Sequence, residues 1–365
     1  MVSGKEIMSL ELSDGLVERG QSVSFVTSFW NNGDFPSRLK QRGLPICTLP
    51  IGFISATLSW RCIDMTMEQI KRWPGLLWNY SRLLRRLNPC KVVHTNWHHV
   101  LLLLPLLRPD CDVYWLHEVV PNLAQYRRVF HLIERRVGAF ICVSEATAAA
   151  LRAIGIRDDK IRVIRNGLTD PADPHNSART PSQQLRFGII GQVNPWKGHL
   201  DLLEAFAPIS RKHRNTELHI FGKGNADYKS ELIQKSAALG VVDRLCWHDY
   251  VTDRSAIYRN LDVCVVPSLS ADPFPTTALE AGFFGLPAVV TRRGGLPEII
   301  EHEVNGLVVE AERPQELAAA LCRLAEDPAL RHRLGQNARN RAVEQFGRKR
   351  FVDEFQRVLQ LQDAI

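Results

Sequence analysis

Short apolar runs alternate with longer amphipathic stretches along this chain from Ser22 onward. SVSFVT is followed by a helix-like Met67 to Leu87, then by KVVHTN, DVYWLH and GAFICVS, the last leading into a helix from Glu145. This is the strand, helix, strand rhythm of a parallel sheet, in which each strand needs a crossover before the next. The rhythm restarts at Leu185 with LRFGIIG, a helix from Gly198 to Arg211, ELHIFG, a helix from Ala226 to Leu239, DVCVVPS, a helix from Thr276 to Phe284, and PAVVT. Between the two series the chain is rich in Pro, Asp, Ser and His and lacks apolar periodicity, the composition of a linker. The pattern therefore predicts an α/β protein of two doubly wound, Rossmann-like domains: residues 1–170, a linker over 171–184, and residues 185–345. A C-terminal helix in 346–365 is expected to pack back on the N-terminal domain.

The amino terminus departs from this rhythm. SGKEIMSLELSDGLVERG reads as a Gly-containing loop running into an amphipathic helix with Ile7, Leu10 and Leu16 among its apolar positions, and no strand precedes it. A doubly wound half normally begins with a strand that becomes central in its sheet. The expectation is that the N-terminal domain lacks its first strand.

Length and composition agree with two globular cores: 365 residues, 45% hydrophobic and 23% charged, with no long biased tract. Eight cysteines are scattered without a C-x-x-C pair, which reads as reduced cytosolic thiols. The longest apolar run, Val100 to Leu107, contains Pro105 and is far shorter than a spanning helix. With no secretory leader pattern either, the expected compartment is the cytoplasm. A net charge of +7 favours anionic partners, whether sugar nucleotides, lipid surfaces or nucleic acid. Nucleic acid is the weakest of these, because the basic residues are dispersed and no recognition helix or stacking motif stands out.

In open parallel sheets ligands sit beyond the carboxyl ends of the strands, so the loops after IIG, IFG, VVPS and VVT are the places to look for chemistry. PSLSADPFPTTALEAGFFG sets two carboxylates, Asp272 and Glu280, across the start of a helix marked by Pro275, Thr276 and Thr277. Helical side chains tilt toward the N-terminus, so Glu280 is expected to lean back toward the loop of Asp272. Free amides at that start, from residues such as Phe274 and Thr276, offer an anion site. A helix-start acid and an ordinary solvated acid would give the same letters. GIIGQVNPWKG places Lys197 at the carboxyl end of another strand, as either a solvated loop lysine or a partner for a diphosphate. TRRGGLPEII ends a third strand on Gly294 and Gly295, where backbone can approach a ligand closely or simply turn.

The order and spacing of these segments resemble glycosyltransferase family 4, the group 1 glycosyl transferases, almost from end to end. Ser3-Gly4-Lys5-Glu6 resembles the family's first Gly-rich loop, His117 in YWLHEVVP stands where an active-site histidine is frequent, and VSEAT and RNG are familiar. GQVNPWKG is similar to the family's G-R-L-x-x-x-K-G loop, IFGKG to its Gly-bearing strand end, and the Asp272 to Glu280 spacing to its E-x7-E element. GGLPEII and EVNGLVV complete the series. The resemblance implies a GT-B fold, with two Rossmann-like domains facing across a cleft, and retaining transfer from a nucleoside-diphosphate sugar without a required metal or other cofactor. It places Glu280 on the donor ribose and Asp272 near hydroxyls of the transferred sugar. Lys197 falls on the departing diphosphate, helped by amides near Thr276, Gly294 and Gly295, and His117 on the reacting sugar. The implied catalytic residues are thus His117, Lys197 and Asp272. The implied donor-binding residues are Gly191, Gln192, Gly222, Lys223, Phe274, Pro275, Thr276, Thr277, Glu280, Gly294 and Gly295.

Two residues break the family pattern. The arginine that usually follows the first glycine of the C-terminal domain is Gln192, so one diphosphate cation is missing; Lys223, Arg292 and Arg293 are the candidates to replace it. Asp272 is one methylene shorter than the usual glutamate.

The stretch Lys71 to Leu87 combines Trp73, Trp78 and leucines with Arg82, Arg85 and Arg86. It reads either as a core helix with a solvated basic edge or as a helix lying on an anionic membrane surface. The implied acceptor is a glycan or lipid-linked glycan, placing the protein in the cytoplasm or on the inner face of its membrane. A sugar-nucleotide epimerase of the same fold and a non-catalytic sugar-nucleotide-binding protein are the competing readings. Nothing in these residues names the donor base, the donor sugar or the oligomeric state.

Overall fold

The computed structural model describes residues 3–31, 33–54, 60–171 and 184–360. Most of the expected linker and the last residues of the C-terminal segment lie outside them. The described chain forms two compact units, one running to Arg165 and resuming at Phe351, the other spanning Asn166–Arg350. The boundary between the units thus precedes the Pro-rich stretch. It falls within the RNG motif because the residues after Arg165 are tied to the second unit: Leu168 N–H donates to Phe346 O at 2.9 Å, and Arg348 N–H to Leu168 O at 2.9 Å.

In the first unit the strands are β1 (Phe25–Ser28), β2 (Ile46–Leu49), β3 (Val92–His94), β4 (Asp112–Leu116), β5 (Phe140–Cys142) and β6 (Ile161–Val163). Its helices are α1 (Gly4–Glu18), α2 (Asp34–Gln41), α3 (Trp60–Leu87), α4 (Trp97–Leu103), α5 (Ala124–Glu134) and α6 (Glu145–Ala153). All strand pairs are parallel, and they fall into a two-stranded sheet, β1-β2, and a four-stranded sheet, β3-β4-β5-β6. Among the described residues no strand precedes α1. β4 is buried along its whole length, as a run of apolar residues between two neighbouring strands must be.

The first helix corrects the sequence reading in one respect. Ser3 to Glu6 is a capping box and not an open Gly-rich loop: the Ser3 hydroxyl accepts from Glu6 N–H, and the Glu6 carboxylate accepts from Ser3 N–H at 2.7 Å. Nor is α1 amphipathic in burial, since Glu11, Ser13 and Gly15 are buried along with Met8, Leu10 and Leu16. Its second cover is α14 (Arg348–Leu359), whose residues from Phe351 belong to this unit. Gly15 admits that helix so closely that a Cβ there would stand 2.4 Å from Val352 Cγ2. Phe355 packs edge-on against Trp115 of β4 at 4.8 Å.

The second unit carries β7 (Leu185–Ile190), β8 (Thr216–Phe221), β9 (Leu245–His248), β10 (Val263–Val266), β11 (Ala288–Thr291) and β12 (Gly306–Val309). Between and after them run α7 (His199–Lys212), α8 (Ala226–Leu239), α9 (Arg254–Tyr258), α10 (Thr276–Phe283), α11 (Leu296–Ile299), α12 (Pro314–Glu326) and α13 (Pro328–Phe346). The sheet is wholly parallel in the order β12-β11-β10-β7-β8-β9. β9 and β12, which the apolar rhythm did not single out as strands, form its edges. The order reverses between β7 and β10, so the loops leaving those two strands diverge around a crevice. One continuous core, from Phe187 and Leu218 through Val265 to Leu321 and Leu334, holds the sheet against its helices.

Candidate functional site

The switch point in the second unit gathers the chemistry. Gly191 directly follows β7, and the chain makes a short 3-10 turn, Pro195–Lys197, before α7. Gly198 ends that turn with φ +76, and a Cβ there would stand 1.9 Å from the Pro267 carbonyl oxygen. No other residue fits both the left-handed backbone and the contact. Leu269 N–H donates to Trp196 O at 2.8 Å, so the loops after β7 and β10 are sewn together. The result is an ion pair between Lys197 Nζ and Asp272 Oδ2 at 2.5 Å. The Lys197 ammonium also lies 4.0 Å from the centre of the Trp196 ring, and the Ser268 hydroxyl is 3.4 Å from Asp272 Oδ2. Lys197 borders a small hollow lined by Ile190, Gly191, Gln192, Val266 and Pro267. In it a cation is held at the carboxyl ends of two strands by a buried carboxylate.

Asp272 is 5% exposed. Its backbone carbonyl accepts from Gly295 N–H at 2.8 Å. Gly294, with φ +56, lies so near that a Cβ would be 2.0 Å from Asp272 O. Gly294 and Gly295 thus set the position of the Asp272 backbone, whatever else their amides do.

Helix α10 begins at Thr276 after Pro275, with no side-chain cap. Pro275 and Thr276 are buried and Thr277 is half-buried. Phe274 is buried against Phe346, and its carbonyl accepts from the buried Asn166 amide at 3.1 Å. Glu280, a turn inside the helix, is 6% exposed. Its Oε2 accepts from the Tyr258 hydroxyl at 2.8 Å, and Oε1 lies 3.4 Å from Arg254 Nη1. Burial, with the Glu280 carboxylate beside it, pushes the Tyr258 hydroxyl well above its usual pKa, so it stays a proton donor to Glu280. Asn166, Trp196, Arg254, Tyr258 and Ser268 escape the sequence reading. Asn166 lies in the RNG motif, Trp196 in GQVNPWKG and Ser268 in VVPS, while no local signal marks Arg254 and Tyr258.

Gln192 is exposed just beyond Gly191, and Gly222 closes on Gly191, where a Cβ would meet Gly191 O at 1.7 Å. Arg292 and Arg293 are committed to Glu310 at 2.7 Å and Glu312 at 3.8 Å. Lys223 is exposed, and its carbonyl accepts from Val193 N–H at 3.0 Å, which places it on the loop beside the one carrying Gln192.

His117 lies in the first unit, directly after β4. Its ring stands 4.3 Å from that of Trp115, and its Nε2 is buried without a hydrogen-bond partner. Burial, and secondarily the Lys5 charge, push it down to about 3, so the imidazole is neutral. His98 and His99, after β3, are pushed down to about 4, chiefly by burial. Beside His117, Glu118 accepts from the Tyr114 hydroxyl at 2.9 Å.

α3 has two faces. Leu76, Tyr80 and Leu83 are buried in the core, while Trp78 is 66% exposed on the same side as Arg82 and Arg85. Among the described residues no helix is long and apolar enough to cross a membrane, and the described cysteines are free thiols.

Comparisons with known proteins converge. Residues 2–170 match the family model described as Glycosyltransferase Family 4, and residues 173–341 that described as Glycosyl transferases group 1. The chain is 27% identical over 284 residues to a lipopolysaccharide core biosynthesis glycosyltransferase of Rhizobium meliloti, covering 77% of this chain and 78% of that one. It is 30% identical over 203 residues to an uncharacterised glycosyltransferase of Methanocaldococcus jannaschii, covering 52% of this chain and 51% of the relative. The chain thus spans about half the length of several curated relatives it matches. A crystal structure of Anabaena HepE in complex with UDP-glucose superposes with a TM-score of 0.81 at 21% identity, over 99% of this chain and 97% of that one. The two-unit α/β fold is therefore the GT-B fold.

Proposed function

Because the chain belongs to glycosyltransferase family 4, we propose that it moves a sugar, with retention, from a nucleoside-diphosphate sugar to a glycan or lipid-linked acceptor. The Lys197–Asp272 pair at the switch point carries this reading. A donor whose diphosphate enters beside Lys197 meets a cation already fixed by Asp272 and Trp196, with the uncapped start of α10 supplying amides. As the glycosidic bond breaks, its electron pair goes to the diphosphate oxygen, whose charge Lys197 and those amides neutralise. The acceptor hydroxyl adds to the anomeric carbon from the face the diphosphate vacates, and its proton passes to the departing phosphate. Asp272 turns toward hydroxyls of the transferred sugar. Glu280, oriented by Tyr258, takes the ribose hydroxyls. Backbone at Gly191, Gly222, Gly294 and Gly295 lies along the donor, with Phe274, Pro275, Thr276 and Thr277 forming the anion site. Lys223 is the candidate to make good the charge missing at Gln192, since Arg292 and Arg293 have carboxylate partners. His117, neutral, gives the first unit a hydrogen-bonding group that carries no charge.

The Rhizobium relative, named for lipopolysaccharide core biosynthesis, supports a role in cell-surface glycoconjugate synthesis, and the exposed Trp78, Arg82 and Arg85 support a protein in the cytoplasm with α3 against the inner membrane face. The Anabaena structure makes UDP-glucose the first donor to test. The full chain is assayed for thermal shift against a panel of nucleotide sugars, then for nucleotide release with lipid-linked glycan acceptors. A donor held 100-fold above its Kd adds ~2.7 kcal/mol of stability. If no sugar nucleotide shifts the transition, or if Lys197→Ala binds and turns over the donor as wild type does, the assignment fails. Binding without release to any acceptor would identify a non-catalytic binder, and conversion of the donor sugar without an acceptor an epimerase.

A further inference from the structure

The outer edge of the second sheet carries a group of side chains that sugar transfer does not use. Glu217 and His219 alternate on β8 and so share one face of the sheet. His219 pairs in register with Cys246 on the edge strand β9, and Phe221 with His248. One ligand atom from each of Glu217, His219 and Cys246 lies within 4.8 Å of the others. His219 Nε2 is 3.2 Å from Glu217 Oε2, close to the separation of two donors on one tetrahedral ion. His219 is 9% exposed.

We propose that this edge binds one zinc-class divalent cation through Glu217 Oε2, His219 Nε2 and Cys246 Sγ, with His248 as positioning residue. A carboxylate, an imidazole and a thiolate are the mixed donors such an ion takes, and three protein ligands leave its fourth position to water. The groups that orient His219 are already in place. His219 Nδ1 lies 3.0 Å from His248 Nε2, within N–H···N hydrogen-bond distance, and the two ring planes are 14° from parallel. Phe221 stacks on the His248 ring at 4.2 Å and holds it there. In the metal-free protein His219 Nε2–H donates to Glu217 and Nδ1 accepts from His248 Nε2–H. Metal binding moves the His219 proton to Nδ1, from which it is donated to His248 Nε2, and the His248 proton moves to Nδ1. The thiol proton leaves to solvent, so one proton is released per ion bound. Glu217 and the thiolate balance the ion's two charges. Arg186, opposite Glu217 in register, is a neighbouring cation, and its backbone N–H donates to the Asp262 carboxylate at 2.8 Å. The ion would staple β9 to β8 at a place separate from the donor loops, so this inference does not depend on which sugar is transferred.

A second trio, His213, Cys322 and Glu326, is the competing location. It is less suited, because Lys212 already pairs with Glu326 and holds its carboxyl down to about 2. The test is Co2+ titration of the tag-free, reduced, full-length protein, followed by the sulfur-to-cobalt charge-transfer band in the near ultraviolet. We expect one Co2+ per chain with that band, displaced by Zn2+ with one proton released per ion. Cys246→Ser removes the band and His219→Ala abolishes tight binding. His248→Phe weakens binding about 10–100-fold, and Cys322→Ser changes nothing. Absence of the band in the wild-type protein overturns the proposal without any variant. So does a band that survives Cys246→Ser or disappears in Cys322→Ser.

Discussion

Lys197 and Asp272, 75 residues apart in the chain, form a 2.5 Å ion pair across the point where the second sheet reverses its strand order. Their side chains are 17% and 8% exposed, so neither charge is well solvated. Removing one partner of such a pair typically costs about 3–5 kcal/mol, because the other is left buried and uncompensated. Lys197→Ala is expected to lose about that much in urea unfolding, and adding Asp272→Asn to recover part of it. Turnover should fall about 10²–10³-fold in Lys197→Ala and stay low in the double variant, since restoring packing does not restore leaving-group stabilisation. Wild-type turnover in Lys197→Ala would remove the lysine from the mechanism.

Glu280 and Tyr258 separate donor binding from packing. Glu280→Gln should raise the donor Kd substantially, with a smaller effect on stability. Tyr258→Phe deletes a hydrogen bond to a charged acceptor and should cost about 1.5–3 kcal/mol of stability, with a smaller rise in Kd. Isothermal titration alongside chemical unfolding measures both. Equal donor affinity in wild type and Glu280→Gln would show that the acid only holds α10 in place.

Gly294 tests whether the backbone behind Asp272 is fixed. A Cβ at this position would stand 2.0 Å from Asp272 O, at a φ of +56. Gly294→Ala should destabilise by about 1–3 kcal/mol from backbone strain alone and reduce turnover in the folded fraction as the Asp272 loop shifts. A stable variant with unchanged rate would show the loop to be adaptable.

Buried histidines set the acid limb of stability. His199, 2% exposed, is pushed down to about 4 by its burial, opposed by the hydrogen bond its ring N–H donates to the Asn194 backbone. Below pH 6.5 the unfolded chain takes up a proton that the folded one refuses. Stability therefore falls from about pH 6.5 downward, and this residue's share, about 3 kcal/mol, is lost by about pH 4. His199→Gln should flatten the pH dependence of Tm between those values by about one proton. His117, held at about 3, should contribute no limb near pH 6.5 to the rate profile. Such a limb, abolished by His117→Asn, would contradict the neutral assignment.

The outward face of α3 predicts membrane association. Trp78 is 66% exposed beside the exposed Arg82 and Arg85, while Leu76, Tyr80 and Leu83 anchor the other face. Replacing Arg82 and Arg85 with Gln should weaken binding to anionic vesicles by about 1 kcal/mol per charge, without affecting neutral vesicles. Unchanged sedimentation with anionic vesicles would leave this helix as a core element with a solvated edge.

Much of this was legible because it is local. Alternating apolar runs and amphipathic stretches marked eight of the strands, Gly191, Gly222, Gly294 and Gly295 marked the loops leaving β7, β8 and β11, and the Pro275-Thr276-Thr277 run marked the start of α10. Where local pattern was weak the reading missed elements. The strands β2, β6, β9 and β12 are only three or four residues long, and the glycine in the first turn of α1 hides a capping box.

The sequence by itself determined two series of strands and helices, the loops that carry polar residues, and the family. Only the tertiary structure decided that Asp272 takes Lys197 while Glu280 takes Tyr258 and Arg254. It also decided that the chain from Phe351 returns to the first unit, and that Glu217, His219, Cys246 and His248 meet at one edge. The reason is one of range. Periodicity and capping act over a few residues, whereas these contacts depend on strand order and register, which bring distant segments side by side and leave no mark on the residues in between.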